Sequence, residues 1–196
     1  MKRKGTFIAL VFAVFTVHGQ VRDYQDEYNA INKNLMLGLG SYAVSNFMIS
    51  GVGYTAAQTE EIRRFHEMNI LWNTVNLGLA VPGFLKAVTP GETWSEQELR
   101  DKQKHIERLF LVNSALDIGY VAGGMWMRKN AENRSGQSDL FRGYGSSLIF
   151  QGSFLLAFDL FAYSKHHRHG KEAFLIKNLS LRPSLNGVTL SFTLDG

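Results

Sequence analysis

The chain has 196 residues, 45% of them hydrophobic and 19% charged, with a formal net charge of +4 and a pI near 9.3. That length fits one domain, and the lack of cysteine excludes disulfides, cysteine-ligated zinc and thiol catalysis. The basic balance does not point to nucleic acid, because Lys and Arg sit in short loops and a tail without an aromatic–basic platform.

Residues 1–20 read as a secretory signal. Lys2, Arg3 and Lys4 precede an apolar run at 7–17 that is too short to span a bilayer comfortably, and cleavage falls after Gly19 or Gln20. An uncleaved N-terminal anchor helix is the rival reading. Either way the chain is expected in the cell envelope, with inner against outer membrane left open.

Residues 21–171 are expected to form a four-helix membrane domain. Residues 21–34 are polar and amphipathic, with Tyr24, Tyr28 and Ile31 at helical spacing. Charge is then nearly absent from four windows, which predict spanning helices at about 35–57, 66–88, 106–127 and 141–163. The short link 58–64 makes the first two antiparallel neighbours. Pro82 lies inside the second helix. Ser95-Glu96-Gln97-Glu98 reads as a capping box opening a solvated lead into the third helix. Ala115, Gly119 and Gly123 form a small-xxx-small ladder that suggests a helix contact. In 172–196 the period changes to alternation around Asn186-Gly187, which predicts a C-terminal β-hairpin leaning on the bundle, the membrane surface or a partner. The expected fold class is thus an all-α four-helix transmembrane bundle with a polar core plus that hairpin.

The candidate chemistry lies in polar stripes within the apolar windows. Asn69, Asn73 and Asn76 stand four and three residues apart, on one helical face, and Asn113, Asp117 and Tyr120 repeat the pattern. With Asn46, Gln151 and Asp159 they are expected to face each other or water, because carboxamides and carboxyls are costly against hydrocarbon. Structurally they fix one packing by interhelical hydrogen bonds. Functionally they line a solute or ion path, with Asp117 and Asp159 the strongest candidates because neither has a basic residue within its own apolar window. His66-Glu67 is not a zinc-protease motif, since Ile70 stands where the second His belongs. His166, His167 and His169 are weighed as metal ligands, but a basic stripe at the headgroups is the preferred reading. Glu67-x-x-x-Leu71-x-Asn73 matches Glu107-x-x-x-Leu111-x-Asn113, either as an inverted repeat or by chance.

Trp72-Asn73-x-x-Asn76, Asn113-x-x-x-Asp117-x-Gly119-Tyr120-x-x-Gly123, Gly143-Tyr144-Gly145, Gln151-Gly152 and Phe158-Asp159 carry a resemblance, as does the signal ending in Gly19-Gln20. The chain resembles a family of small membrane proteins of Bacteroidota-type genomes classified only as a domain of unknown function. The resemblance implies a four-helix membrane protein and supplies no activity, ligand or catalytic residue.

The leading expectation is a non-enzymatic structural or scaffolding membrane protein. The alternative is a small transporter or channel-like subunit using Asp117 and Asp159. No cofactor is called for. The expected partner is the lipid bilayer, with a homo-oligomer or another membrane protein beside it and no nucleic acid. A cleaved signal places both mature termini outside the cytoplasm, whereas the positive-inside rule wants the Lys/Arg-rich 89–105 connection and tail inside. A periplasmic bundle too polar to insert is a further alternative.

Overall fold

Thr59 and Ser95 start two of the helices by the same device, a hydroxyl on extended backbone that accepts a free amide of the first turn. Ser95 Oγ accepts from Glu98 N at 3.3 Å while the Glu98 carboxylate accepts from Ser95 N at 2.8 Å, so the capping box closes as its spacing suggests. The structure, a computed structural model, describes residues 3–89, 91–177, 179–184 and 187–192. Side chains are described for 22–89, 91–95 and 97–171.

The helices are α1 (Arg3–Ala56), α2 (Glu60–Val88), α3 (Glu96–Lys129) and α4 (Ser138–Lys177). A 3₁₀ turn, Ala131–Asn133, lies in the last connection. The expected helices are the inner parts of longer ones. Beyond the apolar windows the helical faces still pack: Tyr24 and Gln25 on α1, Leu99 and Gln103 on α3, and His166 and His169 on α4 are all buried. A buried face, rather than apolar composition, sets where these helices end. α1 is continuous from Arg3 through the segment read as a signal.

α1 packs antiparallel on α2, and α3 on α4. The two pairs join where α4 meets α2, closely enough that a Cβ on Gly143 would lie 2.5 Å from the carbonyl oxygen of Glu61. α2 and α3, by contrast, nowhere bring their Cα atoms within 8 Å of each other among the described residues. That gap leaves a cleft. The expected Ala115–Gly119–Gly123 contact is also corrected, because a Cβ on Gly119 or Gly123 would meet nothing within 4 Å. The close approach is made instead by Gly124, one residue on, against Gly145, and by Gly152 against the Asp117 carbonyl.

The fold class is therefore corrected to an all-α four-helix bundle, not a bundle completed by a β-hairpin. Leu179–Ser184 and Gly187–Phe192 run antiparallel, and among the described residues they pair with each other and approach no helix other than α4. Two paired strands by themselves do not make a layer of a fold. Ser184 pairs with Gly187, and the turn expected at Asn186-Gly187 falls in part outside the described residues.

Many interior positions of this bundle are polar, and many large apolar side chains are exposed. A small apolar core of Leu35, Phe110 and Ala162 lies toward the α1 N-terminal side of the bundle. Elsewhere the interior holds Asn69, Asn73, Asn76, Ser147 and Gln151, with Asn73 and Gln151 at 0% exposure. Large apolar residues face out, including Met48 at 68%, Val52 at 70%, Leu71 at 56% and Ile118 at 58%.

Candidate functional site

The polar residues expected from the sequence separate into two groups. The first is an amide knot centred on Asn69. Its Oδ1 accepts from Ser147 Oγ at 2.6 Å and from Gln151 Nε2 at 3.0 Å, both on α4. Asn73 Nδ2 donates to the Asn69 carbonyl at 2.8 Å, and Asn76 Nδ2 donates to Asn73 Oδ1 at 3.3 Å. From α1, Tyr42 Oη donates to Gln151 Oε1 at 3.1 Å. The four-and-three spacing on α2 presents its amides to α4 as one strip, and the carboxamides satisfy one another. Asn46 sits at the edge, where its Nδ2 donates to the Tyr42 carbonyl of its own helix and its side chain also meets the Tyr42 hydroxyl. The knot is closed and filled.

The second group is the carboxyl pair. Asp117 on α3 and Asp159 on α4 are 3% and 6% exposed, and their carboxyls interact directly. Asp117 Oδ2 has no hydrogen-bond donor. Two carboxyls side by side away from water repel each other when both are charged, so a donor or a cation beside them would be favoured.

The pair lies at the inner end of the cleft between α2 and α3, a space of about 1070 Å³. Trp72, Asn76, Asn113, Tyr120 and Phe158 also line it there. Trp72 meets Tyr120 edge to face, with ring centroids 4.7 Å apart, and bridges α2 to α3 across the gap. The Trp72 Nε1–H is buried without a partner. The mouth lies at the other end, beside Lys86, Trp94, Asp101, Lys102 and His105. Gln25 ties the 89–95 connection at that mouth, donating to the Glu92 carbonyl at 3.0 Å and accepting from Trp94 N at 2.9 Å.

Beyond the apolar windows a latch joins α1, α3 and α4. Tyr24 Oη donates to Gln103 Oε1, and Gln103 Nε2 donates both to the His166 carbonyl and to Glu107 Oε1, each at 2.6 Å. Burial pushes the Tyr24 hydroxyl well above its ordinary range. This corrects the reading of the histidines as a basic surface stripe. His166 is fully buried among the rings of Tyr28 and Phe110. Burial first, and the neighbouring His169 second, lower its pKa from 6.5 to about 4. His167 faces Glu107 at 3.2 Å, while His169 faces Glu27 at 3.3 Å and stacks on Tyr24. The three rings diverge, and among the described residues no three His, Cys, Asp or Glu side chains gather to hold a metal ion.

Sequence reasoning named Asn46, Asn69, Asn73, Asn76, Asn113, Asp117, Tyr120, Gln151 and Asp159. The knot and the inner end of the cleft hold all of them except Asn46, at the knot's edge. It missed Ser147, Gln103 and Trp72. Ser147 is one of several serines in a permissive window. Gln103 lies in a charge run that reads as solvated, and Trp72 reads as ordinary apolar bulk.

No curated protein and no solved structure matches the chain. Residues 38–160, most of the chain and the stretch that carries both polar groups, match the model of a family of unknown function, DUF6992, and the chain belongs to that family.

Proposed function

We propose that this is an integral membrane protein of the cell envelope whose bundle binds a small solute in the α2–α3 cleft, at Asp117 and Asp159. The role is non-enzymatic binding, with the amide knot as the scaffold that holds the cleft open. The observation that carries it is the inverted burial: amides and carboxyls inside, large aliphatic side chains outside, on all four helices. The exposed aliphatic belt coincides with windows 34–57, 68–85, 109–127 and 143–164, which carry only Asp117 and Asp159 as charged-type residues. Windows of about twenty residues match a hydrocarbon core of roughly 30 Å.

Two described helical stretches, Arg22–Ala56 and Ser138–Lys171, are long and apolar enough to cross a membrane. Their most apolar windows are only 22% and 33% buried, unlike the core helix of a soluble protein. The average hydropathy of α2 is lowered by Asn69, Asn73 and Asn76, all turned inward, so lipid would meet its aliphatic face alone.

Because the chain has no cysteine, single-cysteine scanning tests this cleanly. In native membranes, Met48→Cys and Ile118→Cys should resist a membrane-impermeant maleimide, while Asn113→Cys in the cleft should react. Labelling of Met48→Cys and Ile118→Cys as fast as Gln97→Cys would sink membrane integration. A protected Asn113→Cys beside a reactive Lys102→Cys would favour the second reading, a pure scaffold, which the closed hydrogen bonding of the Asn69 knot supports. Transport through the cleft would further require the Trp72–Tyr120 contact to open, and proteoliposome flux reads that directly.

A further inference from the structure

We infer that the cleft takes a small organic cation, a primary or secondary ammonium on an apolar body, with its nitrogen seated at Asp117 and Asp159. This rests on the reading of the cleft as a ligand site. Three independent features meet at its inner end. Asp117 is 3% exposed, lines the cleft and has an Oδ2 without a donor, so the missing partner is a hydrogen-bond donor. Asp159 stands beside Asp117 and lines the same end, so several carboxyl oxygens face one spot where the N–H donors of an ammonium can be accepted. Trp72, Tyr120 and Phe158 line the same end, so an apolar body beside the ammonium meets aromatic side chains there.

The rest of the inner end agrees. Asn76 already engages its amide N–H with Asn73, which leaves its oxygen to accept. Between the carboxyl pair and the mouth the wall carries Met36, Leu79, Leu109 and Phe110 beside the amides of Asn32 and Asn113, so a largely apolar body attached to the ammonium finds contact there. Lys86, Lys102 and His105 at the mouth do not reverse this. Lys102 stands fifteen residues before Asp117 on α3, roughly 22 Å along the axis. Charges at the watery mouth are screened within about 8 Å. An anion would have to lie against the carboxyl pair, and a metal ion would lack a third His, Cys, Asp or Glu ligand among the described residues.

The test is isothermal titration of the full chain in detergent micelles with 2-phenylethylammonium chloride, beside neutral 2-phenylethanol and anionic 3-phenylpropionate. The ammonium should bind saturably, and the other two about tenfold or more weakly. Asp117→Asn and Asp159→Asn should each weaken ammonium binding about tenfold or more, and Asp139→Asn at the opposite end should leave it unchanged. Leu79→Trp, which fills the cleft without touching either carboxyl, should also abolish it, with thermal melting confirming that every variant is folded. Alcohol binding as tight as ammonium binding, or ammonium binding that survives loss of both carboxyls, overturns the ligand class. The cleft reading then still stands if Leu79→Trp blocks the alcohol. Absence of saturable binding by all three compounds likewise overturns the class, and the reactivity of Asn113→Cys then decides the cleft reading by itself.

Discussion

Gly124 of α3 and Gly145 of α4 meet backbone to backbone. A Cβ on Gly124 would stand 2.5 Å from the Gly145 carbonyl oxygen, and one on Gly145 would stand 2.7 Å from that of Gly124. Neither obstacle is a side chain that can swing away. Gly145→Ala should therefore push α3 from α4 and lower stability by about 1–3 kcal/mol. Gly119→Ala, whose Cβ meets open space, should be neutral or stabilise by up to about 1 kcal/mol through helix propensity. Thermal melting of the two variants in one detergent checks the contrast. Equal losses would mean that the small-residue ladder is the contact after all.

Asn69 and Asn46 are both buried asparagines with different duties. Asn69→Ala strands the donors of Ser147 and Gln151, which should cost about 1–3 kcal/mol. Asn46→Ala removes only contacts within its own helix and should cost roughly 0.6 kcal/mol or less. Ranking the two melting temperatures settles the order, and a reversed rank would remove the knot from its central place.

Gln103 holds three partners at once, the Tyr24 hydroxyl, Glu107 and the His166 carbonyl. Gln103→Leu should destabilise by about 1–3 kcal/mol, because it leaves buried groups unpaired. Tyr24→Phe should cost about 0.5–1.5 kcal/mol. In the double variant the losses should fall short of additivity, since the second change finds its partner already gone. Strict additivity would show that the latch is not one unit.

His166 gives the stability a direction with pH. Its folded pKa of about 4 lies below the ordinary 6.5. Between those values the unfolded chain binds a proton that the folded chain does not, so stability rises with pH there and is lost as pH falls from 6.5 toward 4. The contribution is at most about 1.4 kcal/mol per pH unit. His166→Phe keeps a ring between Tyr28 and Phe110 but cannot titrate. Its melting temperature should fall less steeply over the same window, and an unchanged slope would assign the acid sensitivity to other groups.

The polar interior was legible because residue type and spacing both spoke. Asn69, Asn73 and Asn76 sit on one helical face whatever surrounds them, and an otherwise apolar window makes Asp117 and Asp159 conspicuous. The helix ends were legible only where a cap announced them, as Ser95 and Glu98 do. They were hidden where a buried face outlasted the apolar window, at Tyr24 and His166, and the burial of Gln103 was missed inside a helix start that the cap had announced. The hairpin was over-read, because alternation predicts pairing of strands without saying whether any surface awaits them. The histidines misled for a related reason. A run of His, Lys and Arg looks solvated until the packing of α4 turns His166 and His169 inward.

What the sequence by itself determined is the all-helical class, the antiparallel neighbours joined by a short link, and the inward amides, since local spacing and the cost of desolvation act along one chain. Only the tertiary structure decided which polar residues meet. Asn69 is bonded to Ser147 and Gln151 because α4 crosses α2 at close range, where Gly143 carries no Cβ. Asp117 and Asp159 face a cleft because α2 and α3 stay apart. The sorting of the polar residues into an amide knot and a carboxyl pair at the end of a cleft follows from how two helix pairs cross, and crossing is set by contacts between distant segments, which no local pattern encodes.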